Sequence, residues 1–492
     1  MKRRHYFLIS LSSGVLLTAA MGCGDDGPAE DGGGSSSSSS GAGISSGSSG
    51  SSGGASSGGA SSGGASSGGA SSGGASSSSS GGLSSSSGAL PPEPALVNPP
   101  KLARAGARVR LTGVNLGGAQ PSGATVEAGS GSVDILSWSD NEIVFRAPQD
   151  ARGMRTVTVS WGDTTLTTPV RFLARTPNTT FAFPNTGSGA SGLAAIGVDG
   201  KIYKWGCSDE NGIGLRWGCY RQVIDGNYRT ISFGNFPLRL YGVGVGSNTV
   251  SLFHGYGSQI SFYYPDGAGN RTVALSNGVK LGVNNSGVAS SWTTDTELPI
   301  VTARAFDNAN VHDVAAGWYF ATALLHDGTV RSASFNNTDP KYECAQTAVP
   351  AGLTNVVAVA AGKTYSLALK DDGTVVQWGG SACEANASVA IAPPPANLGR
   401  VVAIAAGDAH SLALKDDGTV VGWGIEEEAA QNITGPAALT NVVAIAANYS
   451  NLERGSAVLQ EDGTLSVFVN TASASKRYDD INDIPTKVKL PD

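Results

Sequence analysis

The strings VVAVAAGKTYSLALKDDGTVVQWG (356–379) and VVAIAAGDAHSLALKDDGTVVGWG (401–424) lie 45 residues apart and differ at only five of twenty-four positions. A chain that writes one unit twice is building parts that pack on copies of themselves. Aligned on its turn glycine, the unit recurs at Gly200, Asn248, Gly287, Gly328, Gly373, Gly418 and Gly463, at spacings of 39 to 48 residues. Seven units of that length, each reading as several short strands, predict an all-β chain whose residues 178–492 form a seven-bladed β-propeller.

Each segment of the unit has a physical task. VVAIAAG is apolar and turns small toward its end, which suits an innermost strand where blades converge. In SLALK, Leu412 and Leu414 fall on one face and Ser411 and Ala413 on the other. Stacked blades bury both sheet faces and need large residues set against small ones. KDDGT is a tight hairpin whose glycine supplies a positive φ. TVVGWG returns, and Trp205, Trp378 and Trp423 recur near its end, where blade-to-blade packing is the expected role. Through these residues the pattern AAGxxHSLALKxDGTVxxWG resembles the repeat of the regulator-of-chromosome-condensation propeller family. Units five and six match it almost fully, four and seven well, one to three loosely. The family's namesake promotes nucleotide exchange on a chromatin-bound GTPase, a role not carried over to this chain.

Upstream, GARVRLTGVNLG, ATVEAG, SVDILSWSD, NEIVFRAP, MRTVTVSWGD and TPVRFLA are short alternating strands punctuated by Gly, Asn and Asp. They predict a small immunoglobulin-like β-sandwich over residues 95–175. Gly106, Val109, Leu111, Gly113, Asn115, Leu116 and Gly117 follow the opening signature of the IPT/TIG domain, and the segment resembles that family. Its members act as spacers or binding modules.

Residues 23–94 are dominated by Ser, Gly and Ala, with a repeated SSGGA unit and almost no large apolar side chains. Such a segment cannot offset its backbone entropy by burial and is expected to be a disordered tether. About 60 residues of random coil span on the order of 40–45 Å. The first 22 residues read as a secretory signal: MKRRHY is basic, FLISLSSGVLLTAA apolar, and small residues precede Cys23. Cys23 after Ala20-Met21-Gly22 resembles the bacterial lipobox, which implies cleavage before Cys23 and its lipidation; a plain cleaved signal is the alternative.

Export makes disulfides the expected state of the remaining four cysteines, with local pairing Cys207–Cys219 and Cys344–Cys383. No CxxC and no histidine at ligand spacing argues for a metal site, so no metal and no cofactor is expected. A net charge of −7 is the wrong sign for a nucleic-acid binder. His254, His312, His326 and His410 form no HExxH or triad pattern, and His410 stands in the repeat slot of Phe320 and Tyr365. The GISSG string (43–47) lies in the tether, and GSGASG (187–192) precedes strand and turn rather than a helix. The DDG turns lack the ligands of a calcium loop. No catalytic residue is assigned.

In a blade, the DDG turns lie at one end and the longer connections at the other. The long-loop end carries most of the variation, and with it Trp217, Trp318, Tyr319, Tyr365 and Tyr449 as candidate binding anchors. The expected protein is a monomeric, exported binding protein, lipid-anchored at the outer membrane or cell surface, that recognises a protein or glycan without catalysis. The alternatives are an inhibitor of a secreted or periplasmic enzyme acting through surface loops, and a propeller hydrolase or lyase.

Overall fold

The computed structural model describes residues 93–175, 180–182, 191–209, 217–233, 240–244, 249–253, 259–263, 270–276, 279–284, 286–291, 306, 309–318, 320–334, 345–380, 391–424, 439–447, 455–469 and 487–490. Every regular element among them is a β-strand. The expected signal, Cys23, the tether, Tyr319, Tyr449, Cys344 and Cys383 lie outside the described residues. For Trp217, Cys207 and Cys219 only the backbone is described.

Residues 95–173 form two four-stranded sheets. One orders Ala95–Leu96, Arg108–Val114, Glu142–Arg146 and Ile135–Trp138; the other orders Leu102–Arg104, Thr164–Leu173, Gly153–Trp161 and Thr125–Ala128. The IPT/TIG signature has a physical reason at six of its seven positions. Val109, Leu111 and Leu116 fill the core between the sheets. Gly106, Asn115 and Gly117 hold positive φ, where β-branched residues would be strained.

Seven successive antiparallel sheets follow, one for each repeat. In blades 4 to 7 the inner strands are Val311–Ala316, Val356–Ala361, Val401–Ala406 and Val442–Ala447. Each pairs with the SLAL-type strand, which pairs in turn with the strand leaving the DDG turn. The turn glycines Gly200, Gly287, Gly328, Gly373, Gly418 and Gly463 all have φ between 79° and 86°, which is the expected glycine requirement. Each such turn also stitches its blade to the next. The amides of Val356, Val401 and Val442 donate to the carbonyls of Gly328, Gly373 and Gly418.

The chain end closes the ring by the same device. The Val488 amide donates to Gly463 O at 3.0 Å, as if 488 began another inner strand. It then bridges Gly197, the Lys489 amide donates to Ile196 O, and the Ile196 amide donates to Thr180 O. Blade 1 therefore has a composite inner edge: residues 487–489 start it and 180–182 continue it. Phe181, Leu193 and Ala195 of blade 1 share one core cluster with Val458, Leu459 and Val488.

The slot of Ser411 does more than keep one face small. Thr322 Oγ1 lies 2.9 Å from Ser366 Oγ, the Ser411 hydroxyl donates to Tyr365 Oη at 3.0 Å, and His410 Nε2 lies 3.0 Å from Ser456 Oγ. These are buried bonds between successive blades, and they fix how the blades stack. Trp378 and Trp423 pack as expected: both are buried, with indole N–H groups on Gln346 O and Gln377 Oε1.

Candidate functional site

Two ends of the blades can carry a site. At the DDG end, the second acidic residue of the turn serves the turn itself. Asp327, Asp372, Asp417 and Asp462 each accept the amide of the threonine two residues on, at 2.8 to 3.0 Å. The residue just before it has another use. His326, Asp371, Asp416 and Glu461 occupy that slot in blades 4 to 7, and the sandwich reaches all four. Arg175 Nη2 donates to His326 O at 3.5 Å. Arg108 Nε and Arg146 Nη1 stand 3.4 and 3.1 Å from the Asp371 carboxylate, whose side chain is 4% exposed. The amides of Lys101 and Leu102 donate to Asp416 O at 2.8 and 2.9 Å, and Arg171 pairs with Glu461 at 3.1 Å. Leu102 and Leu173 enter the core cluster of blades 6 and 7. In blade 1 the same slot holds Val198, which is 70% exposed.

Sequence reasoning misses this docking slot, because the DDG turns look alike and bland. The one signal in the sequence is that the first residue of the pair varies (His, Asp, Asp, Glu) while the second is always Asp.

At the opposite end, the inner strands of blades 4 to 6 end in Gly317, Gly362 and Gly407. Their amides donate to the carbonyls of Phe320, Tyr365 and His410 at 2.8 to 2.9 Å. The rings of Phe320 and Tyr365 lie directly on the glycines, and a Cβ at Gly317 or Gly362 would collide with them. The turn delivers the residue after each glycine to one place. Lys363 Nζ sits 4.3 Å from the Trp318 ring centroid and 3.3 Å from Asp408 Oδ1. Trp318, Lys363 and Asp408 are thus one repeat slot in three blades, joined as aromatic, cation and carboxylate. Trp318 is half-buried, and the Lys363 and Asp408 side chains are 16% and 7% exposed.

Tyr365 has to be withdrawn as a binding anchor. It is fully buried, and its hydroxyl donates to His410 O at 2.6 Å while accepting from Ser411. Burial pushes its pKa far up, against the opposing hydrogen bond from Ser411, so it stays a neutral donor. Of the other four candidate anchors, only Trp318 has its side chain described. Among the described residues no group of three or more His, Cys, Asp or Glu side chains could hold a metal ion.

Residues 401–428 match the regulator of chromosome condensation (RCC1) repeat and residues 97–174 match the IPT/TIG domain. The chain is thus similar to the IPT/TIG domain over its sandwich and to the RCC1 repeat in blade 6 of its propeller. No curated protein matches it. Among solved structures it is similar to the ectodomain of the Physcomitrella patens receptor kinase CR4, at 15% identity over 59% of this chain and 73% of that one, with a TM-score of 0.41. It is also similar to the CRINKLY WD40 ectodomain of Arabidopsis thaliana ACR4, at 14% identity, 64% and 99% coverage and a TM-score of 0.42. Prp20p from Saccharomyces cerevisiae, whose structure was described with its binding to Gsp1p and histones, gives 17% identity, 65% and 86% coverage and a TM-score of 0.40. Likeness at that level carries no argument; the propeller rests on the seven sheets and their closure.

Proposed function

We propose that this protein is an exported, envelope-anchored binding protein that presents the long-loop end of its propeller to a protein or glycan and performs no catalysis. The observation that supports this most is the position of the sandwich. It takes up the DDG ends of blades 4 to 7, so in these blades the opposite end is the one left to meet a partner. A propeller offers a partner rigid loops with little ordering cost. Trp318 is the anchor we assign at that end, with Trp217, Tyr319 and Tyr449 as the further candidates.

The membrane anchor on this reading is a lipid on Cys23, and the cysteine pairs are Cys207–Cys219 and Cys344–Cys383. The first pair has support in the backbone: Cys207 and Cys219 stand directly opposite each other in the antiparallel register of Ile202–Asp209 and Trp217–Ile224. Non-reducing peptide mapping should recover the 207–219 link, and free thiols at both positions would remove it.

The function is tested by capture from envelope extract on the immobilised mature chain. Trp318→Ala should weaken retention of the captured partner by about thirtyfold, or ~2 kcal/mol. Asp462→Asn, at the other end, should leave retention unchanged. The reverse pattern would transfer the working surface to the DDG end.

A further inference from the structure

The innermost strand of a propeller blade has one unpaired edge, and seven such edges line a central channel. A channel open at both ends would expose these strands alike from end to end. In blades 4 to 7 it does not. The first two residues of each inner strand, Val311-His312, Val356-Val357, Val401-Val402 and Val442-Val443, are all buried. Further along the same strands Ala315, Ala316, Val359, Ala360, residues 403–406 and residues 444–447 are partly exposed. In blades 4 to 7 the channel is shut at the DDG end.

What shuts it is the strand Leu102–Arg104 of the sandwich. Each inner strand carries a β-bulge at its second residue, at His312, Val357, Val402 and Val443. A bulge leaves a residue out of the ladder and re-aims its peptide group. Arg104 uses two of these groups. Its Nε donates to Val357 O at 3.3 Å, its Nη1 to Val402 O at 3.2 Å, and its Nη2 to Arg175 O at 3.1 Å. Only 4% of Arg104 is exposed. Desolvation lowers its pKa to about 10, with the charge of Asp313 on the blade 4 inner strand partly opposing the shift. It remains a cation at neutral pH, held by carbonyl dipoles from two blades. Leu102 and Leu173 share one core cluster with Val402, Val442 and Val443.

We infer that the sandwich is the fixed floor of the propeller, with Arg104 as its key, so that the channel is a well entered only from the long-loop end. Sandwich and propeller then fold and melt as one unit. This holds or fails independently of what the long-loop end binds.

The test uses Val402→Cys and Ala405→Cys in the mature full-length chain, with maleimide labelling read peptide by peptide. Residue 405 should label at least about tenfold faster than residue 402, because the latter reacts only through opening of the floor. Adding Arg104→Ala should bring the two rates to within about threefold. Equal rates with Arg104 present, or rates that Arg104→Ala leaves unchanged, would overturn the inference. Should Arg104→Ala not fold, Arg104→Lys, which keeps the charge but loses the fork, must raise labelling at 402. Calorimetry of the unmodified chain is an independent check: one transition supports the fixed floor, and two separate transitions refute it.

Discussion

Asp371 and Asp372 are neighbours in one turn, with the same side chain, and they belong to different structures. Asp372 caps its own hairpin through Thr374 and Lys370. Asp371 belongs to the interface, between Arg108 and Arg146 of the sandwich. The same division separates the two ends of the blades. At the DDG end, one slot in four blades is committed to another part of the chain; at the long-loop end, Trp318, Lys363 and Asp408 bind one another across three blades. A repeat fixes where each residue sits in a blade. What each position does is set by which end meets a neighbour.

The largest effect should come from cutting the chain before Lys487. That removes the start of the composite strand of blade 1, including the buried Val488 and its bonds to Gly463 and Ile196. One fully buried aliphatic side chain and the loss of backbone partners amount to about 3 kcal/mol or more. The truncated protein should melt far below the intact one or fail to fold. An unchanged melting temperature would mean that the ring closes by other contacts.

Next come the adjacent aspartates. Asp371→Ala leaves two guanidinium groups without their shared carboxylate. Both are about a third exposed, so the cost falls below that of a fully buried pair, at about 1–3 kcal/mol. Asp372→Ala loses local turn bonds and should cost only about 0.5–1.5 kcal/mol. Denaturant titration of both variants checks the order, and equal costs would erase the distinction between dock and turn.

Tyr365→Phe tests the correction at the long-loop end. Losing its hydroxyl leaves His410 O and Ser411 without that partner inside the blade stack, a cost of about 1–3 kcal/mol in stability. Binding measured on the folded protein should not change, whereas Trp318→Ala should reduce it.

The smallest effect is that of pH. Asp327 and Asp462 are held below the usual carboxylate range, chiefly by hydrogen bonds from Thr329 and Thr464. For Asp372 and Asp417 partial burial pushes upward, yet hydrogen bonds from Thr374 and Thr419 with the nearby lysines more than offset it. A lowered folded pKa contributes stability above the unfolded value, near pH 4, and loses it as pH falls through the folded value. Asp416 has the opposite sign. Burial raises its pKa against the pull of Arg400, so its contribution is lost as pH rises through the raised value. Thermal melts between about pH 6 and pH 3 should show a shallow acid loss that Asp417→Asn reduces. Asp416→Asn should not reduce it.

The blades are legible in sequence because alternation and turn chemistry are local. Leu412, Leu414, Gly418 and Trp423 can be assigned without knowing what lies outside the blade. Tyr365 misleads because an aromatic in a variable loop suggests a contact. Its slot also holds Phe320 and His410, and a bulky ring at a fixed place after a glycine is a packing signal. The docking slot cannot be read from one blade, since nothing in KDDG says which carboxylate faces another domain. The closing strand is equally hidden: KVKL at residues 487–490 lacks the repeat, and its bonds to Gly463, Gly197 and Ile196 are what show that it begins blade 1.

Lysine cross-linking of the mature chain reads out whether the sandwich sits on the DDG end of the blades. The Lys101 amide bonds to Asp416 O, next to Lys415, while Lys363 lies at the opposite end beside Trp318. A short amine-reactive linker should therefore join Lys101 to Lys415. Links from Lys101 to Lys363, with none to Lys415, would place the sandwich at the long-loop end instead.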